Sequence, residues 1–257
     1  MRKWFAISIV LLAVLMAALF RFAHREPQRK QLLIYCAANL RVPVEKIAAD
    51  FQAQTGIEIS AQYAGSQTML TDADVSRRGD LFLPADDSYI EIARSKQLID
   101  REFPLATMRP VVAVKRGNPA NIHGIEDLQR EGIRLAQANP DAAAIGKVTK
   151  PVMEQANLWE PLKARTVAFH ATVTDIANAV KLGTADAGIV WDTTVKQVDG
   201  LEAIDLPIFA KTRAKIVLAT LRSSKQPDDA ALFGKFARSE KGLKVFESYG
   251  YEVAGAK

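Results

Sequence analysis

The stretch IEISAQYAGSQTML, residues 57–70, contains the unit from which the fold can be worked out. Its first seven residues are typical of a β-strand, and TMLTDADVSRR, residues 68–78, has a helical pattern. In the turn between them, Gly65 and Ser66 are typical of a helix start, because a serine hydroxyl readily caps a helix. A helix start also stabilises an anion through its unpaired N–H groups and its dipole. The turn is therefore either a capped helix start or part of a ligand pocket, and both interpretations stay open.

The same strand–turn–helix unit is predicted on either side. LLIYC, residues 32–36, predicts a buried strand, and apolar residues spaced by three and four from Val44 to Phe51 predict a helix after it. DLFL (80–83) and SYIEIARSK (88–96) predict the next strand and helix. Three alternations of this kind favour a parallel sheet with helices on its faces.

A second cycle begins at PVVAVKRG, residues 110–117, and the last part of the chain returns to the first unit. Further strands and helices are predicted at IRLAQ (133–137), IGKVTKPVMEQAN (145–157), TVAF (166–169), VTDIANAVKLG (173–183), AGIVW (187–191), KIVLATL (215–221), DDAALFGKFARS (228–239) and EKGLKVFESYG (240–250). The chain is therefore predicted to form two α/β units.

The first thirty residues hold the net charge and a leader. The 257-residue chain has a formal net charge of +5, and residues 1–30 carry six basic side chains and one acidic one. The rest of the chain is neutral overall, so nucleic-acid binding is not indicated. Arg2 and Lys3 precede seventeen uncharged residues, 4–20, which predict an export signal or an inner-membrane anchor. Removal and retention of this segment both stay open, and the protein is expected in the periplasm or another extracytoplasmic compartment.

Three turns after predicted strands share small residues: CAANLRVP (36–43), YAGSQT (63–68) and ANPDAAAIGK (138–147). Open α/β sheets bind their ligands at the carboxyl ends of the strands. Small side chains leave the backbone N–H groups approachable, and no charged side chain is common to the three turns. The pattern predicts a neutral pocket of donors, which suits a fully deprotonated oxyanion. Asn39 in the first turn either offers its amide to the ligand or caps the following helix.

Motifs of other chemistries are absent from the sequence. It has neither a G-x-x-x-x-G-K-[ST] phosphate loop nor a G-x-S-x-G nucleophile elbow. Ser66, His170 and Asp192 form a triad only by arbitrary selection, and the three histidines are too scattered for a zinc site. No catalytic residue, cofactor or bare metal ion is therefore predicted. Cys36 is the only cysteine, which excludes an internal disulfide and predicts a packed thiol.

Five segments, in chain order, carry a resemblance to a known family: IYCAANL (34–40), TGIEISAQYAGSQTML (55–70), GDLFLPADD (79–87), LGTADAGIVWDT (182–193) and FESYGY (246–251). They resemble the periplasmic substrate-binding proteins of ABC transporters, specifically the molybdate-binding (ModA-like) group with its tungstate-binding relatives. The resemblance covers nearly all of residues 31–254.

The resemblance implies an α/β, two-lobed periplasmic substrate-binding protein fold of type II. Each lobe would be a mainly parallel sheet flanked by helices, with the ligand in the inter-lobe cleft. Lobe I would comprise residues 31–109 and 214–257, and lobe II residues 110–213, after a leader and linker at residues 1–30.

The resemblance also implies the function and the site. A monomer would bind a tetrahedral oxyanion, molybdate or tungstate, with high affinity and deliver it to an ABC permease. The implied ligand-binding residues are Asn39, Ser66, Ala85, Ile145, Val173 and Trp191, with Ala144 as the alternative to Ile145. Ser66 would donate its hydroxyl and N–H, and Ala85, Ile145 and Val173 would donate N–H groups.

Three residues depart from the family pattern. Asn39 stands where a serine is usual, and Trp191 where a tyrosine is common. The indole N–H lies farther from the backbone than expected, so Trp191 either binds an oxygen or only lines the pocket. Arg41 either adds positive charge near the site or lies in solvent.

Other functions stay open beside this one. A ferric-iron or other solute binder of the same fold would use paired tyrosines and carboxylates, and Tyr249 and Tyr251 are the only close tyrosine pair. A hydrolase would use Ser66. The ligand-sensing half of a transcription regulator is disfavoured by the leader and by the lack of a DNA-binding module.

Overall fold

The computed structural model describes residues 30–253. The predicted export signal or anchor, residues 4–20, lies outside the described residues. Within the described part, no helix combines the length and the apolar character that a membrane span requires. The described residues from Gln31 onward form one unit by themselves.

Residues 30–253 contain eleven strands and nine α-helices. The strands are β1 (Gln31–Ala37), β2 (Glu58–Ala64), β3 (Leu81–Leu83), β4 (Ile99–Met108), β5 (Pro110–Lys115), β6 (Leu135–Ala138), β7 (Thr166–His170), β8 (Ala187–Trp191), β9 (Leu201–Ile204), β10 (Ala214–Leu221) and β11 (Glu252–Val253). The helices are α1 (Arg41–Thr55), α2 (Ser66–Ser76), α3 (Asp87–Ser95), α4 (Ala144–Gln155), α5 (Trp159–Arg165), α6 (Val173–Leu182), α7 (Asp192–Gln197), α8 (Pro227–Ala237) and α9 (Glu240–Ser248). Each strand and helix predicted from the sequence is present; β4, α5, α7, β9 and β11 were not predicted.

The strands form two sheets. The first sheet has the order β11-β4-β10-β3-β1-β2 and the second the order β7-β6-β8-β5-β9. The chain thus crosses from the first sheet to the second between β4 and β5 and returns before β10. The lobe boundaries near residues 109 and 213 follow from the resemblance and stay a prediction.

Both sheets are mixed, where the sequence predicts mainly parallel ones. Strand β1 pairs in parallel with β2 and β3, but β10 is antiparallel to both β3 and β4. In the second sheet β6 is parallel to β7 and β8, whereas β5 is antiparallel to β8 and β9. A crossover helix makes neighbouring strands parallel, and the strands that join the two sheets lack one, which is why they run the other way.

Strand β4 was missed because its sequence, IDREFPLATM, contains three consecutive charged residues and Pro104. Proline has no N–H to give to a ladder and is usually found at strand irregularities. Here Pro104 pairs with Val217 next to a register shift, and β4 then continues along β10. Pairing with the long antiparallel strand β10 therefore outweighs the charged residues and the proline in the β4 sequence.

The parallel pairs place several strand ends at the same edge of each sheet. Ala37 pairs with Ala64 at the ends of β1 and β2, and Cys36 pairs with Leu83 at the end of β3. In the second sheet Ala138 pairs with His170 at the ends of β6 and β7. The turns that the sequence predicts to bind a ligand begin at these residues.

Cys36 is a packed thiol, as predicted. Its side chain is completely buried in β1, and Sγ donates a weak hydrogen bond to the carbonyl oxygen of Ala37 at 3.4 Å. Burial raises the pKa of the thiol well above its ordinary range, so Cys36 is unreactive in the folded chain.

Candidate functional site

A small cavity lies where the turns of the two sheets meet. Its volume is about 20 Å³, counted as the space open to the centre of a water-sized sphere. All six predicted ligand-binding residues line it: Asn39, Ser66, Ala85, Ile145, Val173 and Trp191. Seven of its eight other lining residues are alanine or glycine, and the eighth is Thr172. None of the fourteen has an ionisable side chain, so the wall is largely backbone.

Helix starts that lack a side-chain cap surround this cavity. Ala37 precedes the 3₁₀ turn Ala38–Leu40, Gly65 precedes α2, and Ala143 precedes α4, and none of the three helix starts has a side-chain cap. The first N–H groups of a helix have no partner within it. The structure therefore concentrates unpaired N–H donors, and the positive ends of helix dipoles, on one small space.

Neither Asn39 nor Ser66 acts as a helix cap, which excludes the simpler explanation of both residues. Asn39 lies inside the 3₁₀ turn, and α1 after it begins at Arg41 behind the N-cap Leu40, with no side-chain cap. Ser66 is the first residue of α2, one position after the N-cap Gly65. Their side chains are therefore free for another role.

Ser66 is 1% exposed, and among the described residues its hydroxyl has one partner, the N–H of Ala85, which donates to Oγ at 3.1 Å. Because Oγ accepts this bond, its own proton remains available to a ligand. The resemblance predicts that the Ala85 N–H binds the ligand directly. In the structure this N–H donates to the Ser66 hydroxyl, because β3 ends beside the start of α2. A direct bond from Ala85 to a ligand stays a prediction.

The cavity wall has two sides: the first is formed by turns of the first sheet and the second by turns of the second sheet. The second side supplies backbone donors from α4 and α6. Within residues 30–253, the N–H of Ala144 donates no hydrogen bond, although the neighbouring Ala143 N–H donates to Asn139 O at 2.9 Å. At α6, the Thr172 hydroxyl accepts from the N–H of Asp175 and donates to its carboxylate. Thr172 is thus occupied as a cap, and Val173, the next residue, brings the first backbone N–H of α6 to the cavity.

Trp191 and Asn39 provide side-chain donors. Trp191 is 1% exposed, and its indole N–H has no partner in the part of the chain that the structure describes. The amide of Asn39 donates only a long bond of 3.7 Å to the sulfur of Met108. Both side chains line the cavity, and whether they bind a ligand oxygen stays a prediction.

Arg41 is not one of the residues that line the cavity. Its guanidinium lies 4.5 Å from the centre of the Tyr63 ring and 3.8 Å from the Glu45 carboxylate. Its side chain is more than half exposed. Of the two alternatives for Arg41, the structure therefore favours the solvated one.

The residues of the hypothetical triad do not contact one another. His170 Nε2 is buried without a hydrogen-bond partner among the described residues. The Asp192 carboxylate accepts from the N–H groups of Arg109 and Thr193. Neither His170 nor Asp192 is therefore bonded to Ser66 as an activating base within residues 30–253.

Tyr251 supports the Asn39 turn without lining the cavity, a role that the sequence interpretation did not predict. Its hydroxyl donates to the carbonyl oxygen of Asn39 at 3.1 Å and accepts from the amide of Gln197 at 3.2 Å. Burial raises its pKa to about 12. It links the Asn39 turn to α7, and only its place in the FESYGY segment could have suggested it.

Asp86 is the buried carboxylate next to the cavity residue Ala85. It caps α3 by accepting from the N–H of Ser88 at 3.0 Å. Burial raises its pKa above the ordinary value of 3.8, although the bonds from Ser88 and the charge of Lys147 oppose the rise. Ionisation of this carboxyl therefore costs more in the folded chain than in the unfolded one.

Replacing Asp86 with asparagine is expected to stabilise the fold more at about pH 7 than at about pH 3. Well below 3.8 the carboxyl is protonated in both folded and unfolded chains and its elevated pKa costs nothing. As the pH rises, the unfolded chain ionises first, so the native protein loses stability until the pH passes the folded pKa. Asparagine keeps the cap without the charge. Urea unfolding of both proteins at the two pH values measures the difference.

Asp87→Asn is the matched control, because it removes one charge from the same helix end. The Asp87 carboxylate is partly exposed and lies 3.3 Å from Lys215, so its loss is expected to give no stabilisation at neutral pH. An Asp86→Asn effect that is the same at both pH values would contradict a cost of ionisation.

Comparisons with known proteins show which proteins this chain is similar to. The family model described as "Bacterial extracellular solute-binding protein" matches residues 32–252. A binding protein of Haemophilus influenzae is 27% identical over 87% of this chain and 91% of its own length. The molybdate-binding protein ModA of Mycobacterium tuberculosis is 24% identical over 97% of this chain and 98% of its own.

Solved structures of several binding proteins share the fold. The periplasmic molybdate-binding protein of Azotobacter vinelandii matches with a TM-score of 0.74 and 18% identity, over 87% of this chain and 99% of that one. The sulfate-binding protein SubI of M. tuberculosis has a TM-score of 0.76 and 15% identity, with 88% of both chains covered. Iron-bound HitA of Pseudomonas aeruginosa has a TM-score of 0.68 and 18% identity, over 89% and 90%. The type II periplasmic binding-protein fold is therefore confirmed.

Proposed function

Because the chain belongs to the bacterial extracellular solute-binding proteins, we propose that it binds a small, fully deprotonated tetrahedral oxyanion outside the cytoplasm. Molybdate and tungstate are the first candidates, and an ABC permease is the acceptor of the bound ligand. The ModA relatives support the choice of oxyanion. Export directed by residues 4–20, with removal and retention of this segment both open, is part of this proposal, and so is a monomeric state.

The observation that carries the proposal is the composition of the cavity wall. It offers backbone N–H groups from uncapped helix starts, the Ser66 hydroxyl and an unpartnered indole N–H, and it has no carboxylate. A fully deprotonated oxyanion needs donors and no acceptor, whereas hydrogen phosphate carries a proton that requires an acceptor. The wall therefore favours molybdate, tungstate or sulfate over phosphate.

The size of the cavity also supports a small anion. A sphere of about 20 Å³ has a radius of about 1.7 Å. Because an oxygen atom is similar in size to a water molecule, this space shows where the centres of ligand oxygen atoms can lie. Its radius is close to the bond length from the central atom to oxygen in tetrahedral oxyanions. A space of this size suits a small anion better than a sugar or an amino acid.

Binding without chemistry is the activity expected of such a site. Donors from both sheets meet in the cavity, so a bound anion would hold its two sides together and exclude water. A closed, ligand-bound form of this kind would be recognised by the permease. Among the described residues, neither His170 nor Asp192 bonds to Ser66, which gives the hydrolase alternative less support.

Calorimetric titration of residues 31–257 with molybdate, tungstate, sulfate and phosphate tests the proposal. Saturable binding is expected for the first three anions, with phosphate weakest. A bound anion at a hundredfold excess over its Kd is expected to raise Tm by about 5–10 °C. No response to any anion would refute oxyanion binding, and a preference for phosphate would refute a wall made of donors alone.

Iron binding has less support, although an iron-bound protein shares the fold. Among residues 30–253, no group of three or more His, Cys, Asp and Glu side chains could hold a metal ion. The hydroxyl of Tyr251, from the close tyrosine pair, already bonds Asn39 and Gln197. An absorption band in the visible range after addition of ferric iron would favour this alternative.

A further inference from the structure

The two sides of the cavity lie close together at Gly65. A β-carbon at this position would lie 2.6 Å from the carbonyl oxygen of Ala171 and 2.8 Å from that of Ala142. Both oxygens belong to the backbone of the second side, in turns that lead into the cavity wall. The neighbouring Gln67 N–H donates to the same Ala142 oxygen at 3.3 Å. Backbone therefore meets backbone at this point, with no flexible side chain to yield.

The backbone conformation does not explain why a glycine stands here. Gly65 has φ −62° and ψ 150°, which any L-residue adopts without strain. Gly65 is the N-cap of α2, and serine at this position would cap the helix better than glycine does. The requirement for glycine thus arises only when the two sides of the cavity approach each other.

We propose that Gly65 is a specificity-determining residue, because its missing side chain lets the cavity close to the size of a small oxyanion. Ordinary van der Waals contact begins at 3.4 Å, so a β-carbon would force the Ala171 oxygen back by about 0.8 Å. A cleft held open by this amount keeps both sets of donors but separates them. Small anions then lose contact with one side, and larger anions lose less.

This inference rests on the proposed function, and its test compares two anions of different size. Residues 31–257 carrying Gly65→Ala or Gly65→Ser are titrated with sulfate, the smaller anion, and with molybdate, the larger one. Sulfate is expected to bind to both Gly65 variants at least about tenfold more weakly than to the wild type. Molybdate affinity is expected to fall less, so that the ratio of the two Kd values shifts toward molybdate in both variants.

Two controls separate closure from folding. Gly65→Ser supplies a better cap, so the Tm of the ligand-free protein is expected to stay within about 3 °C of the wild type. Gly124→Ala is the matched glycine substitution: its β-carbon would meet only the Glu126 carboxylate, at the end of a flexible side chain. It is expected to leave both affinities unchanged.

The outcomes distinguish the two proposals. Wild-type protein that binds neither anion refutes the proposed function and the role of Gly65 with it. Wild-type protein that binds, together with Gly65 variants that keep its affinities and its ratio, refutes the role of Gly65 alone. Equal losses for both anions would also overturn it, because a mere loss of stability does not discriminate by size.

Discussion

Ser66→Ala is expected to weaken molybdate and tungstate binding by about ten- to a hundredfold, since a hydrogen bond to a charged group contributes about 1.5–3 kcal/mol. The substitution removes the hydroxyl donor from a buried position in the cavity. It also leaves the Ala85 N–H, which donates to Oγ at 3.1 Å, without its acceptor. The ligand therefore loses one donor directly, and a second backbone group loses its support.

Calorimetric titration of Ser66→Ala beside Ser95→Ala measures the effect. The Ser95 hydroxyl is exposed and donates to Ile92 O within its own helix, so the control variant is expected to bind like the wild type. The unfolding free energy of Ser66→Ala is expected to fall by about 1–3 kcal/mol, because a buried N–H is left unsatisfied. Unchanged affinity for every oxyanion would show that the Ser66 hydroxyl is not a ligand donor.

Ala144→Pro is expected to reduce oxyanion affinity at least as strongly, by about a hundredfold. Ala144 is the first residue of α4, where proline is well tolerated because its N–H has no partner within the helix. The preceding Ala143 has φ −116° and ψ 136°, which suits a residue before proline. The substitution thus removes an N–H donor and puts a ring carbon in its place, with the helix intact.

Glu240→Pro is the matched control, at the first position of the distant helix α9. Its N-cap Ser239 has φ −65° and ψ 162°, and its side-chain cap bond goes to Gly242. The variant loses only an exposed ion pair with Lys244, which contributes little. Circular dichroism is expected to show a native helix content for both variants, and only Ala144→Pro is expected to lose binding. Native affinity in a folded Ala144→Pro protein would exclude this N–H as a donor and leave Ile145 as the candidate.

The sequence by itself determined the order of strands and helices and the turns that form the site. Alternating apolar runs and helical patterns were sufficient because each strand–turn–helix unit is local, and strand ends of parallel pairs fall at one edge. It also identified the six lining residues, through small side chains at helix starts and the resemblance. It could not predict β4, whose Pro104 and charges are compatible with a strand only beside β10.

The tertiary structure alone decided how the candidate donors are paired. That Ser66 is not a cap, that the Ala85 N–H supports its hydroxyl, and that the Ala144 N–H is unpaired depend on angles and distances across the chain. Likewise, Gly65 in the sequence is compatible with an ordinary helix start. Only the packing of the Ala142 and Ala171 carbonyls against it shows that a single methyl group would keep the two sides apart. Local sequence fixes which groups a turn offers, whereas contacts between distant turns fix which of them remain free for a ligand.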